Sequence, residues 1–145
     1  MLTRRALLMS ISALALTDGA HAAPVSVMLY KNPECGCCEG YADYLRQHGF
    51  AVTTKATPDL SEISRKAGIP PELEGCHTAF IGGYVVDGHV PVEAIERLLS
   101  ERPAIKGITL PGMPAGSPGM AGEKIEPFTV FAVGADAKPT VFMTI

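Results

Sequence analysis

Cys35-Gly36-Cys37-Cys38 packs three thiols into four residues, forming a CxxC, a CxC and a vicinal CC at once. That is more sulfur than one simple disulfide uses. Crowded thiols serve two chemistries: as thiolates they bind soft metal ions, and as a pair they exchange disulfides. The other residues able to join either chemistry are Cys76 with His77 beside it, His89, and two methionines, Met113 and Met120, each ending a Pro-Gly-Met triplet. Thiolate and thioether are soft donors and together select Cu(I) over hard cations. Zinc is the nearest rival, since four thiols, or three with a histidine, suit a tetrahedral site. Structural zinc favours two separated pairs, however, and would leave the methionines idle.

These residues need elements to position them. Residues 25–30 are apolar apart from Ser26, which predicts a buried strand ended by Asn32-Pro33. A helix is predicted to open at Cys38, with Tyr41, Ala42 and Leu45 at helical spacing and Gly49 just past its end. The thiols therefore sit at a strand-to-helix turn, where the positive end of the helix dipole favours thiolate. Residues 50–54 predict a second strand. Thr57-Pro58 supplies an N-cap and first residue for a second helix, with Leu60, Ile63 and Ala67 on one face and Gly68 as its stop. Residues 78–81 and 84–86 flank Gly82-Gly83, a hairpin signal. Pro91 opens a third helix with Ala94, Ile95, Leu98 and Leu99 inward, ended by Arg102-Pro103. Residues 106–122 read as a loop carrying both methionines, and residues 128–133 and 140–144 as two final strands. Met28 and Met143 read as core, and His48 as solvated at a helix end.

The chain is 47% hydrophobic with a net charge of −3, and no basic cluster follows the N-terminus. A nucleic-acid partner is excluded on that ground. No carboxylate pair suited to acid-base work, phosphate-binding glycine loop or nucleophile triad is present. Residues 1–22 read as an export signal, with Arg4-Arg5, an apolar stretch over residues 6–16, and Ala20-His21-Ala22 as the cleavage site. Thr3-Arg4-Arg5-Ala6-Leu7-Leu8 also fits a twin-arginine signal, so Sec and twin-arginine export both stay open. The apolar stretch is shorter than the about 20 residues a membrane span needs, so no stable insertion is expected after cleavage. Residues 23–145 are expected to form one mildly acidic domain in the periplasm. An even cysteine count outside the cytoplasm usually means disulfides. Cys35 to Cys38, or Cys76 to one of the cluster, is the purely structural alternative, although closing so short a loop constrains the unfolded chain little.

Tyr30-Lys-Asn-Pro-Glu-Cys-Gly-Cys-Cys38 resembles the strand-turn-helix of glutaredoxins, which carry their CxxC there. Ala79-Phe-Ile-Gly-Gly-Tyr-Val-Val-Asp-Gly88 is similar to the glutaredoxin hairpin before the last helix. The resemblance implies an α/β fold of thioredoxin/glutaredoxin type, β-α-β-α-β-β-α, extended by the Met-bearing loop and a C-terminal β-hairpin. It sets the first and third strands side by side and antiparallel, bringing Cys76 and His77 to the thiol cluster and His89 to the same edge. Thioredoxin-like redox proteins usually place a cis-proline just before the third strand; Cys76-His77 stands there instead. A proline offers no ligand, whereas a thiol and an imidazole offer two. A dozen loop residues at ~3.3 Å each span a small domain, enough to return Met113 and Met120 over the site.

With Gly75-Cys-His-Thr-Ala79, Gly83-Tyr-Val-Val-Asp-Gly-His-Val-Pro91 and Pro111-Gly-Met-Pro-Ala-Gly-Ser-Pro-Gly-Met120 added, the chain resembles the CopG-type family of periplasmic copper-resistance proteins, long known as a domain of unknown function. That resemblance implies a thioredoxin-like fold, copper held through the cysteine cluster with histidine and methionine, and a role in copper tolerance. Tyr41 departs from it, standing where a tryptophan is expected. The expected metal site is Cys35, Cys37, Cys38, Cys76, His77, His89, Met113 and Met120, holding copper as Cu(I), with sulfur enough to bridge several ions. The expected function is capture, buffering or transfer of Cu(I), with other periplasmic copper-handling proteins as partners. The alternative is a thiol-disulfide or copper oxidoreductase in which Cys35 attacks and Cys38 resolves.

Overall fold

The computed structural model describes residues 23–134 and 138–145; the expected export signal lies outside them. The apolar first strand forms β1 (Ser26–Lys31), with Val27 and Leu29 buried on one face. It pairs in parallel with β2 (Ala51–Ala56) and antiparallel with β3 (His77–Ile81). β3 turns through Gly82-Gly83 into β4 (Tyr84–Gly88), its antiparallel neighbour. With β5 (Gly107–Leu110), β6 (Thr129–Val133) and β7 (Thr140–Thr144), the strands form one seven-stranded sheet in the order β2-β1-β3-β4-β5-β6-β7. The helices are α1 (Gly36–Gln47), α2 (Leu60–Ala67) and α3 (Val92–Glu101). Among the described residues no helix is long and apolar enough to cross a membrane.

Three differences from the sequence expectation have physical causes. The segment expected to be loop from residue 106 begins with β5, whose four residues are all buried and pair in parallel with β4. Four residues carry no readable period; the strand exists because β4 would otherwise leave its backbone groups unpaired on that side. β5 in turn pairs with β6, so the C-terminal hairpin continues the main sheet rather than extending the domain separately. The helices also begin elsewhere. α1 starts at Gly36 with Cys35 as its N-cap, two residues before Cys38. α2 starts at Leu60, because Thr57 Oγ1 accepts the Asp59 N–H and closes a turn before the helix. Pro91 precedes α3 in an extended conformation instead of opening it. Gly68 ends α2 as expected, at φ 97°.

The pleat divides the apolar residues between two layers. The main core packs Leu29, Ala79, Ile81, Val86 and Ile108 against Tyr41, Ala42 and Leu45 of α1 and Ile95 and Leu98 of α3. A smaller cluster of Ile69, Val85 and Val133 lies on the opposite face, with Ala67 of α2 packed against it. The register sets Lys31, the last residue of β1, opposite His77, the first of β3, and Thr78 opposite Asp87 near the end of β4. The turn into α1, the start of β3 and the end of β4 thus meet at one end of the sheet.

Ile108→Ala tests β5. A buried strand residue should cost about 2–5 kcal/mol of unfolding free energy in urea, whereas a surface loop residue would cost almost none.

Candidate metal site

The turn that delivers the first thiols is closed by the Cys35 N–H donating to the Asn32 carbonyl at 3.1 Å. An ion pair between Lys31 and Glu39, 3.1 Å apart, ties the first turns of α1 to the end of β1. Cys35 and Cys38 stand one helical turn apart and are joined as a disulfide; Cys37 and Cys76 are free and half-buried. Cys37 Sγ lies 3.4 Å from Cys35 Sγ and 3.6 Å from Cys76 Sγ, and Cys38 Sγ lies 3.6 Å from Cys76 Sγ. Cys76 also faces two imidazoles, His77 Nδ1 at 3.4 Å and His89 Nε2 at 3.1 Å. The structure therefore places two donor groups together, Cys35/Cys37/Cys38/Cys76 and Cys76/His77/His89, each with its ligand atoms within 4.8 Å of one another. Cys76 belongs to both.

Burial sets the electrostatics. It lowers the His77 pKa to about 3, with neighbouring His89 adding to the effect, and it also lowers that of His89. Both rings are thus neutral near pH 7 and carry a free lone pair. Burial likewise pushes the Cys76 thiol up to about 12, reinforced by its contact with Cys37. The thiolate expected at the helix terminus does not extend to Cys76, which must surrender its proton to any metal it binds. Tyr41 stacks on His77 with ring centres 4.4 Å apart and meets His89 edge-on at 5.5 Å, while its hydroxyl donates to the Val90 carbonyl at 2.9 Å. His77 Nε2 is buried without a hydrogen-bond partner, a state that native interiors rarely leave unexplained. Soft sulfurs, neutral imidazoles and one orphaned ring nitrogen fit a soft metal ion.

The loop bearing the methionines does return to this end of the sheet: the Pro118 carbonyl accepts a hydrogen bond from His89 Nδ1 at 2.6 Å. Met120 is half-buried there, and Met113 is 44% exposed with φ 47°. Sequence reasoning missed the buried polar chain behind the site. Asp87 accepts the Gly75 N–H on one oxygen and the Thr78 hydroxyl on the other at 2.7 Å, and Thr78 contacts Ser64 of α2 at 2.6 Å. Burial raises the Asp87 pKa to about 6 against the pull of its two hydrogen bonds. This chain holds the segment leading into Cys76. Its one signal was a carboxylate inside the apolar hairpin run. Two clefts of about 490 and 300 Å³ lie on the outer face around Phe80 and touch no candidate ligand.

Residues 73–120, which include Cys76, His77, His89, Met113 and Met120, match a family model described as a protein of unknown function, DUF411. No curated protein matches the chain. Two solved structures, forms 1 and 2 of copper resistance protein copG, are each 33% identical to it, with a TM-score of 0.77. Each alignment covers 84% of this chain and 98% of the other. The chain belongs to the family of the copper resistance protein CopG.

Proposed function

We propose that the chain is an exported copper-binding protein that sequesters, buffers or transfers Cu(I) as cargo. Cys35, Cys37, Cys38, Cys76, His77 and His89 hold the metal, and Met113 and Met120 close over it. The observation that carries this reading is the position of Cys76, within 3.6 Å of the Cys37 and Cys38 sulfurs and 3.1 Å from the His89 ring. A thiolate common to two donor groups suits bridging between ions, which favours several Cu(I) per chain. The names of the two solved relatives support copper as the cargo. The pairing of β1 with β2 and β3 supports a thioredoxin-like arrangement, with Cys76-His77 in the place of the redox proline. Residues 1–22 are the export signal in this reading, residues 23–145 the mature domain in the periplasm, and other copper-handling proteins there its partners.

With Cys35 and Cys38 joined, the four-sulfur group offers only Cys37 and Cys76 as thiols. Anaerobically reduced protein should therefore retain more Cu(I) per chain than the disulfide form, and more than one ion, by elemental analysis after desalting. One ion or fewer would end the several-ion reading. In competition with a Cu(I) chelator, Cys76→Ser should weaken binding by at least about tenfold and more than Cys37→Ser does, because it removes a donor from both groups. Equal losses would show that Cys76 is not shared.

The Cys35–Cys38 disulfide beside two free thiols also favours a second reading, an oxidoreductase. Cys35 thiolate would attack a substrate disulfide, Cys38 would displace the substrate thiolate, and two electrons would leave the protein as its own disulfide forms. With copper, the dithiol would give one electron to each of two Cu(II) ions, releasing two protons and yielding two Cu(I). Reduced protein mixed with Cu(II) should then form two Cu(I) per Cys35–Cys38 disulfide, read by a Cu(I)-specific dye and by mass spectrometry. A Cys35→Ser/Cys38→Ser variant that reduces Cu(II) equally well would remove this reading.

A further inference from the structure

His89 is held from both sides. Its Nε2 lies 3.1 Å from Cys76 Sγ, and its Nδ1 lies 2.6 Å from the Pro118 carbonyl oxygen. A carbonyl oxygen only accepts hydrogen bonds, so the ring proton sits on Nδ1 and the Nε2 lone pair faces the sulfur. His77 is arranged differently: its Nδ1 faces Cys76, and its Nε2 has no partner among the described residues.

Pro118 belongs to a strap, residues 111–122, that folds back on itself. The buried Ser117 donates its hydroxyl to the Pro114 carbonyl at 2.6 Å, the Met120 N–H donates to the Ser117 carbonyl at 2.9 Å, and the Gly116 N–H donates to the Ala121 carbonyl at 3.2 Å. The strap is seated on α1 by a contact between two glycines. A Cβ on Gly40 would lie 3.0 Å from the Gly119 carbonyl oxygen and 3.3 Å from its Cα; one on Gly119 would lie 2.8 Å from Tyr41 Cα. Gly119 also has φ +80°, which side chains disfavour. Glycine inside a helix is less stable than alanine, and this close approach gives α1 a reason to carry one at position 40. Tyr41, the next residue, packs on both imidazoles.

We propose that the strap is the positioning element of His89. Its Pro118 carbonyl fixes the tautomer and ring plane that turn Nε2 toward Cys76, and the Gly40–Gly119 contact registers the strap on the helix that carries the thiol cluster. The proposal rests on the reading of His89 as a metal ligand, and it assigns the atom used, Nε2. Outer partners of this kind commonly alter metal affinity 10–100-fold when removed.

The tautomer can be read without metal, by nuclear magnetic resonance of the nitrogen-labelled, reduced, metal-free protein. His89 should appear as the Nδ1–H form. Gly40→Ala should preserve helix content by circular dichroism, shift Gly119 by a few tenths of an ångström, loosen the Pro118–His89 hydrogen bond so that the second His89 tautomer appears, and weaken Cu(I) binding by up to roughly tenfold. Ser117→Ala, which loosens the strap without touching α1, should do the same to a smaller extent. An Nε2–H form in the unaltered protein would overturn the proposal. So would a drop in melting temperature in both variants with the tautomer and affinity unchanged, since that would mark the strap as merely structural. If the unaltered protein bound no Cu(I) while the tautomer and its response to Gly40→Ala were as stated, the metal-site reading would fail and the positioning would stand.

Discussion

The antiparallel register of β1 and β3 is the constraint on which the rest of the site depends. It pairs Val27 with Ile81, Leu29 with Ala79 and Lys31 with His77. The first two pairs are buried against α1 and α3, and the third continues their face to the sheet end. A slip of one residue would turn His77 to the other face and bring Thr78 under Tyr41. The burial of Val27, Leu29, Ala79 and Ile81 guards against that slip, because the same shift would send all four to the opposite face, where Met28 and Phe80 are partly exposed. Apolar packing three to five residues away thus sets the position of Cys76 relative to Cys37 and Cys38, about forty residues earlier in the chain.

Burial then prepares the donors. An imidazole loses its positive charge when desolvated and a thiol keeps its proton, so the pocket holds His77, His89 and Cys76 uncharged. Uncharged groups can be packed closely without repelling one another, which is how two histidine rings come to lie with centres 4.7 Å apart. The surrounding shell keeps them in place: Tyr41 against both rings, Pro118 on His89, and Asp87 on the Gly75 amide. A Cβ on Gly75 would lie 2.6 Å from Gly88 Cα, so the two chain segments that present Cys76 and His89 touch through their backbones. Such preorganisation reduces what binding must spend on ordering ligands.

The thiol cluster, the two histidines and most elements were legible because they depend on residue type and short-range spacing. The meeting of Cys76 with the cluster was legible only through the resemblance to glutaredoxins, since spacing alone does not reveal which strands pair. β5 was illegible because Gly107-Ile-Thr-Leu110 becomes a strand by pairing with β4 and β6, which no local pattern records. The early start of α1 and the late start of α2 reflect competition between neighbouring turns that offer similar local hydrogen bonds. Asp87 reads in the sequence as part of a hairpin, and only the folded chain brings Thr78, Ser64 and Gly75 around it. The Pro118 carbonyl had no signal at all, because a backbone acceptor is common to every residue.

The two chemistries open at Cys35-Gly36-Cys37-Cys38 draw on the same sulfurs, and the geometry divides the consequences unequally. A Cys35–Cys38 disulfide removes two of four donors from the sulfur group and none from Cys76/His77/His89. The disulfide form is therefore left with a nitrogen-rich group beside the single thiol of Cys37, whereas reduction adds two more soft thiols, Cys35 and Cys38. Softness of donors is what separates Cu(I) from harder ions. Any oxidation of this pair accordingly takes soft donors from the four-sulfur group and leaves Cys76, the residue common to both groups, available. The donors open to a metal thus depend on the redox state of Cys35 and Cys38, while Cys76 is open in either form.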